Sequence, residues 1–342
     1  MLNPADNIAL YMEDNLDSDY GKMGFGVMRY GQNPVCCVID SAHAGRRVSE
    51  VCALPFDIPV VASVAEAAAL GAQVLVIGVA PSGGRAPAEW DAPLRESLRQ
   101  GLNIVNGLHD DMNARYGDLL SDRQWIWDVR RPAFTPAIAA GRAAALDNKR
   151  VLMVGTDMAV GKMSAGLEIH RWLRAQDVDA AFIATGQIGI TLTGRGIPLD
   201  AFKVDHACGA VEQSVLDAAG HAIVFIEGQG SLLHPGSSAT LSLLRGSCAT
   251  HLIMCHRAGA TTLRQPESVR IPPLQDFIRL NEEVARVCGA LTESVTIGVA
   301  LNTAHLNAAD ARIAIADLER EVNLPVADVV RDGGGKLGKL LL

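Results

Sequence analysis

Short apolar runs rich in β-branched residues alternate along the chain with stretches whose apolar positions recur at helical spacing. In the first part the runs are "PVCCVID" (34–40), "IPVVAS" (58–63), "VLVIGVA" (74–80) and "NIVNGL" (103–108), with helix-forming segments such as "VAEAAALGA" between them. Alternation of this kind predicts parallel strands joined by crossover helices. Several runs end in small or turn-forming residues, notably "APSGGRAP" (80–87), so a binding edge is expected at the carboxyl ends of the strands.

A second series follows the Ala-rich stretch "PAIAAGRAAALDNKR" (136–150), which reads as a linking helix and domain boundary. Its strands are expected at "VLMVGT" (151–156), "AFIAT" (181–185), "AIVFIE" (222–227), "HLIMCH" (251–256), "VTIGVALN" (295–302) and "PVADVV" (325–330). Two α/β domains result, 1–140 and 141–342. No internal repeat or low-complexity tract interrupts them. The Gly-rich end "RDGGGKLGKLLL" reads as a mobile terminus.

Composition narrows the class. The chain has 342 residues, enough for two domains, and 49% hydrophobic with 20% charged residues describes a well-packed globular protein. A net charge of −8 with no Lys/Arg block speaks against nucleic-acid binding. Seven cysteines, an odd number without C-x-x-C or zinc-ligand spacing, point to reduced thiols in a cytoplasm. The start "MLNPADNIALYMEDNLDSDYGK" carries acids where a secretion signal carries bases, and no apolar run reaches the roughly 18 residues of a membrane span. A cytoplasmic protein without membrane partners is expected, and apolar composition with a cleft architecture favours a homo-oligomer.

The chemistry concentrates at "VLMVGTDMAVGKMSAGLEIHRWL" (151–173). An apolar strand runs into Gly155, and after a short loop Gly161-Lys162 open a helix. Backbone N–H groups of such a loop converge on an anion, the helix N-terminus adds positive potential, and the lysine supplies a full charge. The loop has one residue more between its glycines than G-x-x-x-x-G-K-[ST], and Met163 stands where the magnesium-binding hydroxyl belongs. Downstream, "AIVFIEGQGS" places Glu227 at a strand end before Gly228-Gln229-Gly230, where an acid can face the phosphate loop and bind metal, orient water or act as a base.

"GTDMAVGKMS" with "EGQGS" resembles the dethiobiotin-synthetase branch of P-loop proteins. Taken with "ATGQIGI" (184–190), "KVDHACGAVE" (203–212), "CHRAG" (255–259) and "GVALNT" (298–303), the chain is more similar to another family with that core, long catalogued as a domain of unknown function and including bacterial D-glutamate N-acetyltransferases. The resemblance spans essentially the whole chain. It implies a P-loop NTPase-like parallel-sheet domain preceded by a smaller Rossmann-like α/β domain, acetyl-CoA as cosubstrate, a small amino-acid acceptor such as D-glutamate, and a place in D-amino-acid catabolism.

An acetyl-CoA enzyme breaks no phosphate bond, which agrees with Met163 and with no required metal, although Ser164 or Glu227 could recruit magnesium. Gly155, Thr156, Met158, Ala159, Val160, Gly161, Lys162, Met163 and Ser164 are the candidate cradle for the carrier's phosphates, with Asn302 at a further strand end. Asp157 and Glu227 are candidate bases, and Lys162 or N–H groups near Gly161 would stabilise the oxyanion. Gln187, His206 beside Asp205, Gln229 and Arg257 are candidate substrate contacts, Arg257 because guanidinium matches a carboxylate bidentately. Each also has a plain structural role as a turn, cap or solvated residue.

Arg85, Arg130 and Arg131 stand in loops of the first domain, where they could meet an acidic substrate. His109-Asp110-Asp111 reads as a helix cap or solvated turn rather than a metal site, and no G-x-S-x-G elbow marks a serine hydrolase. Two other activities fit a phosphate loop with a nearby acid: a Mg-ATP-dependent carboxylate-activating ligase resembling dethiobiotin synthetase, against which Met163 speaks, and a non-catalytic nucleotide-binding switch.

Overall fold

A computed structural model describes residues 2–52 and 54–342, with the side chain of Ser82 outside the description. The chain forms two compact units, Met1–Arg131 with Gln187–Pro198, and Pro132–Gly186 with Leu199–Leu342. The fold is α/β, with one six-stranded parallel sheet in each unit.

In the first unit the strands are β1 (Ile8–Tyr11), β2 (Val35–Ile39), β3 (Val60–Val61), β4 (Val74–Ile77), β5 (Asn103–Asn106) and β6 (Ile126–Asp128). Their order, β3-β2-β1-β4-β5-β6, is that of the dinucleotide-binding folds, with its reversal between β1 and β4. The four runs expected from the pattern supply β2 to β5. β1, at the centre of the sheet, is a four-residue run of buried side chains, too short for periodicity to mark. β6 escaped for the same reason.

In the second unit, β7 (Lys149–Gly155), β8 (Ala180–Ile183), β9 (Ile223–Ile226), β10 (His251–Arg257), β11 (Val295–Asn302) and β12 (Val326–Ala327) lie where the sequence places them. Their order is β12-β11-β10-β7-β9-β8. β7 and β9 are buried along nearly all their length, as strands covered on both faces must be, so they read as continuous apolar runs.

Two expectations fail. The stretch 136–150 is not a helix: Gly141 takes a left-handed conformation at φ 72°, and only a 3₁₀ turn follows at Arg142–Ala145. Glu212, buried on the helix Val204–Asp217, draws the segment out instead. Its carboxylate accepts from the N–H of Ala140 (3.1 Å) and of Arg142 (2.7 Å) and from Arg142 Nε (2.9 Å), replacing the bonds a helix would make internally.

The C-terminus is also ordered into structure. Short helices Val329–Asp332 and Gly335–Gly338 and the 3₁₀ turn Lys339–Leu341 bury Val329, Leu337 and Leu341. A Cβ at Gly338 would sit 2.4 Å from the Trp172 ring, and one at Gly334 2.4 Å from the Glu168 carbonyl, so these glycines permit close packing on the helix Lys162–Arg174 rather than mobility. Among the described residues no helix is long and apolar enough to cross a membrane.

Candidate active site at the phosphate loop

β7 delivers the chain into a loop at the carboxyl edge of its sheet. Thr156 N–H bonds the Cys255 carbonyl of neighbouring β10 (3.1 Å), and Gly161, in the left-handed region at φ 102°, turns the chain into the helix Lys162–Arg174. Ala165, Gly166, Ile169 and Leu173 form that helix's buried stripe. The first-turn N–H groups of Lys162, Met163 and Ser164 have no intrahelical acceptor by geometry, and they carry the positive end of the helix dipole.

Lys162 is only 4% exposed. Its Nζ donates to the loop carbonyls of Asp157 (2.6 Å) and Met158 (3.0 Å). Burial lowers its pKa to about 8, against the opposing pull of Cys255, Asp157 and Glu227.

Glu227 follows β9 and is 3% exposed. Oε2 accepts from the backbone N–H of Thr185 (2.8 Å) and Gly186 (3.2 Å), while Gln229 Nε2 donates to Oε1 (3.2 Å). Burial raises its pKa to about 7, opposed by the two backbone donors and by Lys162. Gly228 lets this strand end pass the loop: a Cβ there would stand 1.7 Å from the Met153 carbonyl and 2.8 Å from Lys162 Cδ. A buried carboxyl and a buried amine thus share one place, each with its pKa moved toward neutrality, a pattern that marks functional sites.

Asp157 has a different occupation. Its carboxylate accepts from the N–H of Met158 (2.7 Å) and of Arg264 (2.8 Å), so it braces the loop against a distant segment. Thr156 Oγ1 lies 3.0 Å from His256 Nδ1, and burial holds that imidazole's pKa down at about 4. Asn302 lies beside the loop, its Nδ2 3.8 Å from where a Cβ on Gly161 would be. Beyond His256, a cavity of ≈ 530 Å³ opens along Ala258, Thr261, Pro272 and Leu301.

The position that carries the magnesium-binding hydroxyl in P-loop nucleotide enzymes is held here by Met163. Hard cations take oxygen ligands, and its thioether is not one.

A family model described as "Domain of unknown function (DUF1611_C) P-loop domain" matches residues 137–338, and one described as "Domain of unknown function (DUF1611_N) Rossmann-like domain" matches residues 41–132. The chain belongs to the DUF1611 family. It is 34% identical to a protein of Pseudoalteromonas sp named D-glutamate N-acetyltransferase, over 79% of this chain and 82% of the relative. A protein of the same name from Tritonibacter scottomollicae is 35% identical, over 80% of this chain and 82% of its own length. A crystal structure of a DUF1611 family protein from Anabaena variabilis superposes with a TM-score of 0.96 at 43% identity, covering 99% of both chains.

Within this DUF1611 chain, Gly155, Thr156, Asp157, Lys162, Glu227, Gln229 and Asn302 converge in the second unit. Met158 and Ala159 form the loop's exposed tip, while Val160 is buried and Met163 and Ser164 are half-buried on the first helical turn. His206 Nδ1 is bonded to the Pro136 carbonyl (2.8 Å), and Arg257 is exposed at the end of β10. Gln187 belongs to the first unit, where it packs beside Gly107.

In the first unit Arg85 pairs with Asp110 (3.7 Å), Arg130 donates to the Gly107 carbonyl (2.7 Å), and Asp111 caps the helix Met112–Tyr116 as its position suggests. Sequence reasoning missed Cys255, whose buried thiol is pushed up to about 12 by burial beside Lys162, and the Arg264 N–H that holds Asp157. Cys255 lay within a recognised strand and was detectable from its register; a backbone donor from a loop leaves no sequence signal.

Proposed function

We propose that this chain is an acetyl-CoA-dependent N-acetyltransferase whose acceptor is an amino acid, D-glutamate first among them, as in a D-amino-acid catabolic route. The observation that carries the proposal is the pairing of a buried Lys162 with a buried Glu227 across a phosphate loop that has Met163 in place of the metal-binding hydroxyl. Two relatives named D-glutamate N-acetyltransferase support the acceptor.

In this reading Lys162, the loop N–H groups and the helix N-terminus hold phosphates of the CoA carrier, and the ≈ 530 Å³ cavity beside His256 takes its adenine end. Glu227, as carboxylate, removes a proton from the substrate ammonium. The free amine attacks the thioester carbonyl, an N–C bond forms, and the resulting oxyanion is held by backbone N–H groups near Gly161. The new NH₂⁺ group gives up its second proton to solvent, and collapse breaks the C–S bond with the electron pair leaving on sulfur. The CoA thiolate takes a proton from solvent, and Glu227 returns its own to solvent. Asp157 is given the loop-shaping role, since it ties the loop to the N–H of the distant Arg264, and Glu227, whose pKa burial raises to about 7, is given the role of base.

The test mixes the full chain with acetyl-CoA and D-glutamate, with L-glutamate in parallel, and omits magnesium and ATP. Thiol release that requires D-glutamate, with acetylated product confirmed by mass, is the expected result. No release with any amino acid, together with ATP turnover once magnesium is added, would replace the transferase with a ligase.

A further inference from the structure

The first unit carries a cavity of its own, ≈ 870 Å³, at the carboxyl ends of β1 to β4 where its strand order reverses. Open parallel sheets bind ligands at this position, and cavities of this size are typical of small-molecule sites. A dinucleotide fold places glycines immediately after β1 so that a pyrophosphate can lie on the helix N-terminus. Here β1 is followed by "MEDNLDSD", residues 12–19, with no glycine before Gly21. Four carboxylates line the cavity, those of Glu13, Asp14, Glu89 and Glu96, against the single guanidinium of Arg99. A phosphate is repelled from this place.

Glu13 is engaged by Ser41, and Glu96 by Gln100 and Arg99. No ion pair or hydrogen bond among the described residues engages the Asp14 or Glu89 carboxylate. Two further groups point to a ligand. Tyr11 (2% exposed) and Trp90 (4% exposed) meet edge to face in the cavity lining, ring centroids 5.2 Å apart at 85°. Neither the Tyr11 hydroxyl nor the Trp90 indole N–H has a hydrogen-bond partner among the described residues, yet neither is among the sealed, unsatisfied polar atoms of the interior. Polar groups on nearly buried side chains are normally paired, and since both side chains line the cavity, these two are left to a group or water within it. Glu13, Asp14 and Glu89 all act on the Tyr11 hydroxyl and, after burial itself, raise its pKa, which places their charges around the same spot.

We infer that this crevice binds an organic cation: an ammonium compound with an apolar ring or chain and an oxygen that can accept from Trp90. The carboxylates would hold the charge, the two aromatic rings would add cation–π attraction, and the wall of Ile39, Val64, Pro81 and Pro87 would take the apolar stem. A bare metal ion is the poorer fit, since no group of three or more His, Cys, Asp or Glu among the described residues is arranged to hold one. This site is independent of the reading given for the phosphate loop, since every residue of its lining lies in the first unit.

The experiment follows the indole N–H resonance of Trp90, assigned by its loss in Trp90→Phe, while the ¹⁵N-labelled full chain is titrated with tyramine. In parallel it is titrated with 3-(4-hydroxyphenyl)propionate, which keeps the ring and chain but replaces ammonium by carboxylate. A saturable shift with tyramine, at least tenfold weaker or absent with the acid, is expected, and Glu89→Gln should weaken tyramine binding several-fold. An equal response to both compounds, or an unmoved Trp90 resonance at millimolar tyramine, overturns the proposal.

Discussion

The two units put a crevice at the same topological place, the carboxyl edge of a parallel sheet, and give it opposite charge. After β7 the chain reads Thr156 to Lys162, with a left-handed Gly161 and a buried ammonium; after β1 it reads Met12 to Asp19, with acids and no glycine. The sheet decides where a ligand can lie. A handful of residues in the first loop decide which sign of charge is accepted, because backbone donors can approach an anion only where glycine allows it and carboxylates repel it outright. Fold alone therefore says little about the ligand.

The largest effect that sharpens this contrast is expected at Glu227. Glu227→Gln keeps the shape and a donor–acceptor end but removes the base, so kcat for acetyl transfer should fall by about 10²–10⁴ while CoA binding persists. Steady-state kinetics paired with CoA titration checks this, and a variant retaining wild-type kcat would move the base elsewhere.

A smaller effect is expected with pH. Glu227 must be ionised to accept a proton, so kcat/KM should rise as pH increases through about 7; Lys162 must be charged to hold an anion, so it should fall as pH increases through about 8. Each limb should change about tenfold per pH unit, because kcat/KM follows the free enzyme's ionisations. Glu227→Gln should abolish the lower limb specifically. A profile flat from pH 6 to 9 would separate these two groups from the rate.

Much of this was legible before any coordinates. The second unit's six strands are long or strongly apolar, and the phosphate loop announces itself through Gly155, Gly161 and Lys162. Glu227 was visible as an acid at a strand end. What the pattern could not convey was tertiary in origin. β1 is four residues long, yet becomes central because both its neighbours pair with it. The stretch 136–150 has helix-forming composition but is pulled straight by Glu212, some seventy residues away. The C-terminal glycines looked like slack and are instead contact points against Trp172, which helps to brace the phosphate-loop helix from behind. Asp157 and Glu227 were equivalent candidates by position. Their surroundings differ in ways no position shows: Asp157 ties the loop to the Arg264 N–H, while burial raises the Glu227 pKa to about 7.

The central claim, that this loop holds the phosphates of a CoA carrier without magnesium, is tested most directly by calorimetric titration of CoA into the full chain and into Lys162→Ala, in buffer containing EDTA. Saturable binding to the natural chain, weakened at least tenfold in the variant, is the result predicted. CoA binding that requires magnesium, or that is equally tight in Lys162→Ala, would contradict it.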